Sequence, residues 1–348
     1  MRPLKRADGI GVCACSPKFA GYGKGMVIRM NSKKANWAFL VTILCYAGMV
    51  FAVANFFPLF AESLVFSNLI CEIVVVLPML VFIVASGENI VSFLGIHKMR
   101  FTSVLMTGLF TFLSVPSLTV VNLFSQLWVE NEVASAMENM NAGQMPFGLL
   151  LFSTGLVAPV FEETLCRGAY YHAYAGSGRR IGAMVMSALI FALIHMNFNQ
   201  ASYAFVMGVF AVLLLEVTGS LWSCILYHSL INGSQMMLLY GAFKVNPNVY
   251  SEQAGTITPD FLLYAVGAYL VVVAVTLPLS WAVLVWISIN EGRQGALSCF
   301  LPKKALPGKA EKKDKLVSVP FVLALILCIG MMTGSFFRIV EKIILMIR

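Results

Sequence analysis

Two glutamates and an arginine interrupt an apolar run near the middle of the chain. The stretch "VFEETLCRGAYYH" (160–172) continues "FGLLLFSTGLVAPV", where a membrane helix would normally stay apolar. Ionisable side chains inside membrane spans are costly and mark functional sites by default. Glu162, Glu163 and Arg167 are therefore candidate functional residues.

The two glutamates are expected to have different roles. Neighbours on a helix point about 100° apart, so they cannot face the same partner. Glu163 and Arg167 are spaced i, i+4 with the acid first, which favours an ion pair that lets both stay charged in an apolar setting. Glu162 is left without a partner on its own helix. A buried carboxylate of that kind can serve as a general base.

A histidine in the next span is predicted to lie level with Glu162. His195 ends the run "LIFALIH", and the midpoint between it and Glu162 falls in "AYAGSGRR" (173–180), a predicted turn. In an antiparallel hairpin, residues equidistant from the turn lie at the same depth. Glu162 and His195 could therefore hold one water molecule between them.

A second histidine shares a helical face with an asparagine. His228 and Asn232 in "CILYHSLINGSQ" are spaced i, i+4, so their donors could converge on one point and stabilise a developing oxyanion. In the alternative interpretation, they only form hydrogen bonds to neighbouring helices.

Other polar residues of the spans are interpreted as structural. Glu72 stands alone in the second span, which favours structural pairing, and Glu216 lies at the edge of the sixth span, as expected for an interfacial position. His172 is placed at a polar helix end and His97 in a loop.

The elements that carry these residues are predicted to be membrane helices. The 348-residue chain is 59% hydrophobic and 11% charged, far from the composition of a soluble domain. Apolar runs of about 20 residues indicate helical spans. They lie near 37–60, 64–86, 101–125, 147–171, 181–197, 201–217, 221–240, 261–288 and 317–336. The fold class is thus all-α, a polytopic membrane helical bundle of about 8–9 transmembrane helices.

Charge is distributed as in a membrane protein with a cytoplasmic N-terminus. The net charge is +8, but Lys and Arg gather in alternate loops and in "LPKKALPGKAEKKDK" (301–315), which follows the positive-inside rule and argues against nucleic acid as a partner. The ninth span would place a basic end outside, so either it is re-entrant or the rule fails there. We divide the chain into a basic cytoplasmic tail (1–36), N-terminal transmembrane helices (37–140), a catalytic core (141–242) and C-terminal transmembrane helices (243–348) with the Lys-rich cytoplasmic loop 301–315.

Three motifs in this order carry a family resemblance. "EETLCR" (162–167) fits E-E-x-x-x-R, "FALIH" (191–195) fits F-x-x-x-H and "HSLIN" (228–232) fits H-x-x-x-N. Together they resemble the CPBP family (CAAX-protease and bacteriocin-processing, also called Abi), over about 145–240. The resemblance implies an all-helical intramembrane endopeptidase related to the type II CAAX prenyl endopeptidases. By matched position, Glu162 and His195 would activate water, and His228 and Asn232 would form the oxyanion hole.

The sequence thus predicts an enzyme of the membrane with no cofactor. Glu163 and Arg167 would hold the helix and orient the site. A divalent metal such as zinc is the alternative, but the chain has no H-E-x-x-H and its candidate ligands are scattered over three helices. The substrate would be a membrane-embedded or lipid-anchored peptide in the lipid bilayer near the cytoplasmic face.

Two other classes of protein and more than one kind of substrate stay open. A non-catalytic scaffold or bacteriocin-immunity-type protein could keep the fold, and a proton-coupled small-solute transporter could use the same Glu and His residues. The substrate could be a prenylated protein, a leader peptide or a bacteriocin precursor. We expect a multi-pass protein of a bacterial cytoplasmic membrane.

Overall fold

The structure is a computed structural model that describes residues 30–57, 64–139, 143, 145–254, 257–300 and 315–339. Most of the predicted Lys-rich loop 301–315 and most of the predicted basic tail 1–36 therefore lie outside the described residues.

The described residues form helices and contain no strand. In chain order these helices are α1 (Ser32–Phe56), α2 (Leu64–Ala85), α3 (Ile90–Leu94), α4 (Phe101–Ser125), α5 (Glu132–Asn139), α6 (Phe147–Ala175), α7 (Arg180–Ile194), α8 (Phe198–Thr218), α9 (Leu221–Val245), α10 (Val249–Ala254), α11 (Pro259–Asn290) and α12 (Val319–Met332). A short 3₁₀ helix follows at Ala296–Phe300. The predicted all-α fold class is confirmed.

Six of these helices are, by length and composition, long and apolar enough to cross a membrane: α1, α2, α4, α6, α8 and α11. The shorter α7 and α12 are also apolar, and α9 is long but carries more polar side chains, His228 and Asn232 among them. The large apolar side chains left exposed on these helices suit a lipid environment. The protein is a helical membrane bundle.

Each of the nine predicted spans corresponds to one of these helices, although several ends differ. The sixth span begins at Phe198 instead of 201, because the side chain of Asn197 accepts a hydrogen bond from Gln200 N (2.7 Å) and caps α8. The ninth is only 14 residues long, or about 21 Å, against a hydrocarbon core of about 30 Å. Its apolar run is thus longer than its helix.

Helix α6 contacts the other helices that carry candidate residues. It packs against α2, α7 and α9 and also contacts α8. Residues 165–171 of α6 are buried on every side, and the side chains of Cys166, Arg167, Tyr170 and Tyr171 are nearly inaccessible. A turn at 176–179 leads into α7, which runs back along α6, so the predicted hairpin is present.

Candidate active site

The two glutamates lie in a single α-helical turn of α6 that is flanked by two π-helical segments. The turn spans Ala158–Glu163, preceded by π-helix at Ser153–Val157 and followed by π-helix at Thr164–Tyr171. π-Helical turns widen a helix locally and are frequent at functional sites. The polar residues of the first motif thus occupy an irregular part of α6.

Glu163 contacts two basic side chains, an arginine and a histidine. Its Oε1 lies 2.7 Å from Arg167 Nη1 and 2.9 Å from His228 Nδ1, and all three side chains are buried. The predicted i, i+4 ion pair is therefore present, and it extends across the helix interface to α9. Because the carboxylate can only accept, His228 Nδ1 carries a proton and donates it to Glu163.

Fixing Nδ1 of His228 directs its other ring nitrogen towards Glu162. His228 Nε2 lies 3.6 Å from Glu162 Oε2, and the Glu162 side chain is 14% exposed whereas Glu163 is inaccessible. One histidine thus faces both glutamates of the first motif, a contact between motifs that the sequence did not predict. Glu162 is the more accessible of the two carboxyl groups.

Phe191, the first residue of the F-x-x-x-H motif, lies between the other site residues. Its ring centroid is 4.1 Å from Arg167 Cζ, 4.8 Å from the His195 ring and 5.5 Å from the His228 ring. A guanidinium over an aromatic face gains a cation–π interaction. Phe191 belongs to the second motif, but the sequence did not predict a role for its side chain.

His195 lies at the C-terminal cap of α7, and its ring orientation is set by the backbone. Its Nδ1 lies 2.7 Å from Phe191 O. A carbonyl oxygen only accepts, so Nδ1 is the donor and Nε2 of the neutral ring is left as an acceptor. Among the described residues, no hydrogen bond or ion pair joins His195 directly to Glu162.

The turn after His195 holds its backbone in an unusual conformation. Met196 has φ 54°, in the left-handed region that side-chain-bearing residues rarely adopt. The next residue, Asn197, both caps α8 and donates from Nδ2 to His195 O at 3.2 Å. This turn, which the sequence did not predict, fixes the place where α7 stops and so the position of the His195 ring.

Asn232 contacts the other end of the first-motif helix. Its Nδ2 donates to Thr154 O at 3.1 Å, which commits one of its two N–H groups and leaves the other. The close approach of the two helices there depends on glycine, because a Cβ on Gly155 would lie 3.3 Å from Gly233 Cα. His228 and Asn232 thus share one face of α9, but both make contacts to α6, as the structural alternative also predicts.

Glu72, which the sequence presented as solitary, is part of the same polar cluster. It lies on α2, is 6% exposed and interacts electrostatically with Glu162. Glu162 belongs to another helix, α6, which packs against α2. The structural pairing that the sequence favours for Glu72 stays a prediction.

Glu216 and His172 lie in a different cluster, at the hairpin turn. Glu216 accepts from Arg180 Nη1 (2.9 Å) and from the Tyr171 hydroxyl, so it joins α8 to both arms of the hairpin. His172 Nδ1 donates to Gly168 O at 2.7 Å. These contacts are structural and leave the cluster around Glu162 as the candidate site.

The structure brings Glu162, Glu163, Arg167 and His228 together, with His195 joined to them through the Phe191 ring. Asn232 lies one turn further along α9, against Thr154. Carboxylates, imidazoles and N–H donors are the groups that water activation and oxyanion binding require. A metal requires three or more converging ligands. Within the described ranges, no group of three His, Cys, Asp or Glu side chains is placed to hold a metal ion. The mechanism without a metal stays a prediction.

The three motifs together coincide with a known family. The family described as "Type II CAAX prenyl endopeptidase Rce1-like" matches residues 144–234, a segment that contains Glu162, His195, His228 and Asn232. No curated protein and no solved structure matches the chain. The three-motif segment of this membrane protein is thus similar to the type II CAAX prenyl endopeptidases, the family that its motifs predict.

Proposed function

We infer that the protein is an intramembrane endopeptidase that hydrolyses a peptide bond of a membrane-associated protein or peptide. The observation that carries this inference is the position of His228, 2.9 Å from Glu163 and 3.6 Å from Glu162. A purely structural ion pair would need only Glu163 and Arg167. The additional carboxylate and histidine supply the groups that hydrolysis requires.

Glu162 is the group we assign as general base. Glu163 is committed to Arg167 and His228, whereas Glu162 Oε2 has no hydrogen-bond partner among the described residues and 14% of the Glu162 side chain is exposed. Nε2 of His195 is available as an acceptor for the same water molecule. Glu162 takes a proton from water as the water oxygen adds to the scissile carbonyl carbon.

His228 and Asn232 are the groups we assign to the oxyanion. For that role His228 must carry a proton on Nε2 as well as on Nδ1, so the imidazolium form is required. Asn232 contributes the N–H that Thr154 O does not use. The tetrahedral intermediate then breaks its C–N bond, and the proton held by Glu162 passes to the leaving amine.

The proposed substrate is a membrane-embedded or lipid-anchored peptide cleaved near the cytoplasmic face. Arg179 and Arg180 at the turn between α6 and α7 support a cytoplasmic turn by the positive-inside rule. The same rule supports a cytoplasmic N-terminus. We propose a bacterial cytoplasmic membrane as the location, the residues 141–242 as the catalytic core, and a mechanism without a metal cofactor.

The test is a comparison of membrane peptides between cells that produce the wild-type protein and cells that produce Glu162→Gln at the same level. We expect at least one cleavage product to be present only with the wild type. If the two sets of peptides are identical while both proteins are folded in the membrane, the chain is a scaffold or a transporter instead of a protease.

A further inference from the structure

The carbonyl oxygen of Thr154 accepts a hydrogen bond from another helix because its own helix leaves it free. In an α-helix this oxygen would accept from the N–H of residue 158, and in a π-helix from that of residue 159. The N–H of Ala158 instead donates to Ser153 O, in the π-helical pattern. Residue 159 is a proline, which has no N–H. Both of these donors are therefore missing, and Asn232 Nδ2 donates to Thr154 O at 3.1 Å in their place.

The contact with Asn232 follows from the physics of a helix in a membrane. A free carbonyl is costly there, and a proline is tolerated where a neighbouring helix supplies the missing donor. Helix α9 comes close enough to do so, since a Cβ on Gly155 would lie 3.3 Å from Gly233 Cα. Because a carbonyl oxygen only accepts, it holds the amide nitrogen of Asn232 against α6. The second N–H of that nitrogen is then held in a fixed direction.

We propose that Pro159 is a positioning residue for Asn232. Because it has no N–H, it keeps Thr154 O free to orient the Asn232 amide, whose second N–H is the one assigned to the oxyanion. Pro159 is buried in α6, three residues before Glu162 and outside the three motifs. The catalytic consequence rests on the proposed function, whereas the hydrogen-bond relationship does not.

The hydrogen-bond relationship is tested by the melting temperatures in detergent of the wild type, Pro159→Ala, Asn232→Leu and the double variant. Leucine is close to asparagine in size but has no side-chain N–H, so Asn232→Leu leaves Thr154 O without its donor. In Pro159→Ala the new N–H of residue 159 can reach Thr154 O, and the loss of the amide then matters less. We expect Asn232→Leu to lower the melting temperature of the wild type at least about twice as much as that of Pro159→Ala.

Equal shifts in the two backgrounds would overturn the proposal, because the N–H at residue 159 and the amide of Asn232 would then not serve the same carbonyl. If Pro159→Ala fails to fold, Pro159→Val replaces it, since valine restores the same N–H and fills more of the volume of the ring.

Pro278→Ala is the matched control, because it also restores an N–H inside a span, but at an exposed position of α11. In that background Asn232→Leu should lower the melting temperature as much as in the wild type. A smaller shift there would show that the coupling is not specific to Pro159 and would contradict the proposal.

The catalytic consequence is tested by the kinetics of peptide cleavage. An oxyanion donor acts in the transition state, so we expect Pro159→Ala to lower kcat about tenfold with a smaller change in KM. In the Asn232→Leu background the same change should lower kcat less than about twofold, because both residues act through one N–H. Pro278→Ala should keep the wild-type kcat.

A Pro159→Ala protein with the wild-type kcat, or with the same fold loss in both backgrounds, would contradict the positioning role. If the wild type cleaves no peptide, the proposed function fails, but the melting temperatures still decide whether Pro159 keeps Thr154 O free for Asn232.

Discussion

His228 Nδ1 lies 2.9 Å from Glu163 Oε1, so residues 65 positions apart form one buried contact between α9 and α6. The same carboxylate oxygen accepts from Arg167 at 2.7 Å. Glu163 therefore holds together the first and third motifs, and it fixes which nitrogen of His228 faces Glu162. This contact separates the role of Glu163 from that of its neighbour.

Replacing Glu163 by alanine is expected to destabilise the protein. Arg167 and His228 would lose their common acceptor, and Arg167 has no other hydrogen-bond partner for Nε and Nη2 among the described residues. Breaking a buried ion pair by removing one partner costs about 3–5 kcal/mol. We expect a lower melting temperature in detergent and a lower membrane yield.

Glu130→Ala is the matched control for this prediction, because Glu130 is exposed and such changes alter stability by about 0.5 kcal/mol or less. If Glu163→Ala has the same melting temperature as the Glu130→Ala control, the buried ion pair does not stabilise the protein and the prediction is wrong.

The close contact between α6 and α9 predicts a large effect of one methyl group. A Cβ at Gly155 would lie 3.1 Å from Leu151 Cδ1 and 3.3 Å from Gly233 Cα. We expect Gly155→Ala to push the helices apart, to weaken the Asn232–Thr154 hydrogen bond, and to cost about 1–3 kcal/mol. Melting curves and cleavage rates should both decrease.

Gly148→Ala, on the same helix, has nothing within 4 Å of the added Cβ. It should be neutral, or slightly stabilising, since alanine favours helix over glycine. Equal melting temperatures and equal cleavage rates of Gly155→Ala and Gly148→Ala would show that the helices are not closely packed at Gly155.

Cleavage activity is expected to survive strong zinc chelation. The proposed base is a carboxylate, and no group of three possible ligands converges within the described part of the chain. The measurement is cleavage of a reporter peptide before and after chelation, together with metal analysis of the purified protein. One equivalent of zinc that leaves together with the activity, and restores it when added back, would overturn the mechanism.

The helices and the local pairs were predictable from the sequence because their signals are local. Each of the nine apolar runs corresponds to one helix of the structure, and the i, i+4 spacing predicted the contact between Glu163 and Arg167. The contact of His228 with both glutamates was not predictable, because it depends on how α9 packs across α6. Spacing within one helix contains no information about that packing.

Two further features escaped prediction for related reasons. Glu72 appears solitary in its own span because its electrostatic neighbour, Glu162, lies on another helix far along the chain. The left-handed conformation of Met196 also lacks a local signal, since a left-handed turn is usually marked by glycine or asparagine at that position. Here the asparagine is the next residue, Asn197, which caps α8.

The most direct test of the account compares the isosteric amides of the two adjacent glutamates. Glu162→Gln keeps size and hydrogen bonding but cannot take a proton from water. We expect normal yield and a normal melting curve, with cleavage of a membrane-embedded reporter peptide reduced roughly 10²–10⁴-fold. His195→Ala should resemble it, and the double variant should lose little more, because both residues would serve one water molecule.

Glu163→Gln is the matched comparison, since it removes charge from the contacts with Arg167 and His228. Its main loss should be in stability, and part of any lost cleavage should return at lower temperature. The decisive measurement is the cleavage rate of folded Glu162→Gln. The account predicts a loss of at least about 100-fold, and cleavage at the wild-type rate would contradict the assignment of Glu162 as the base.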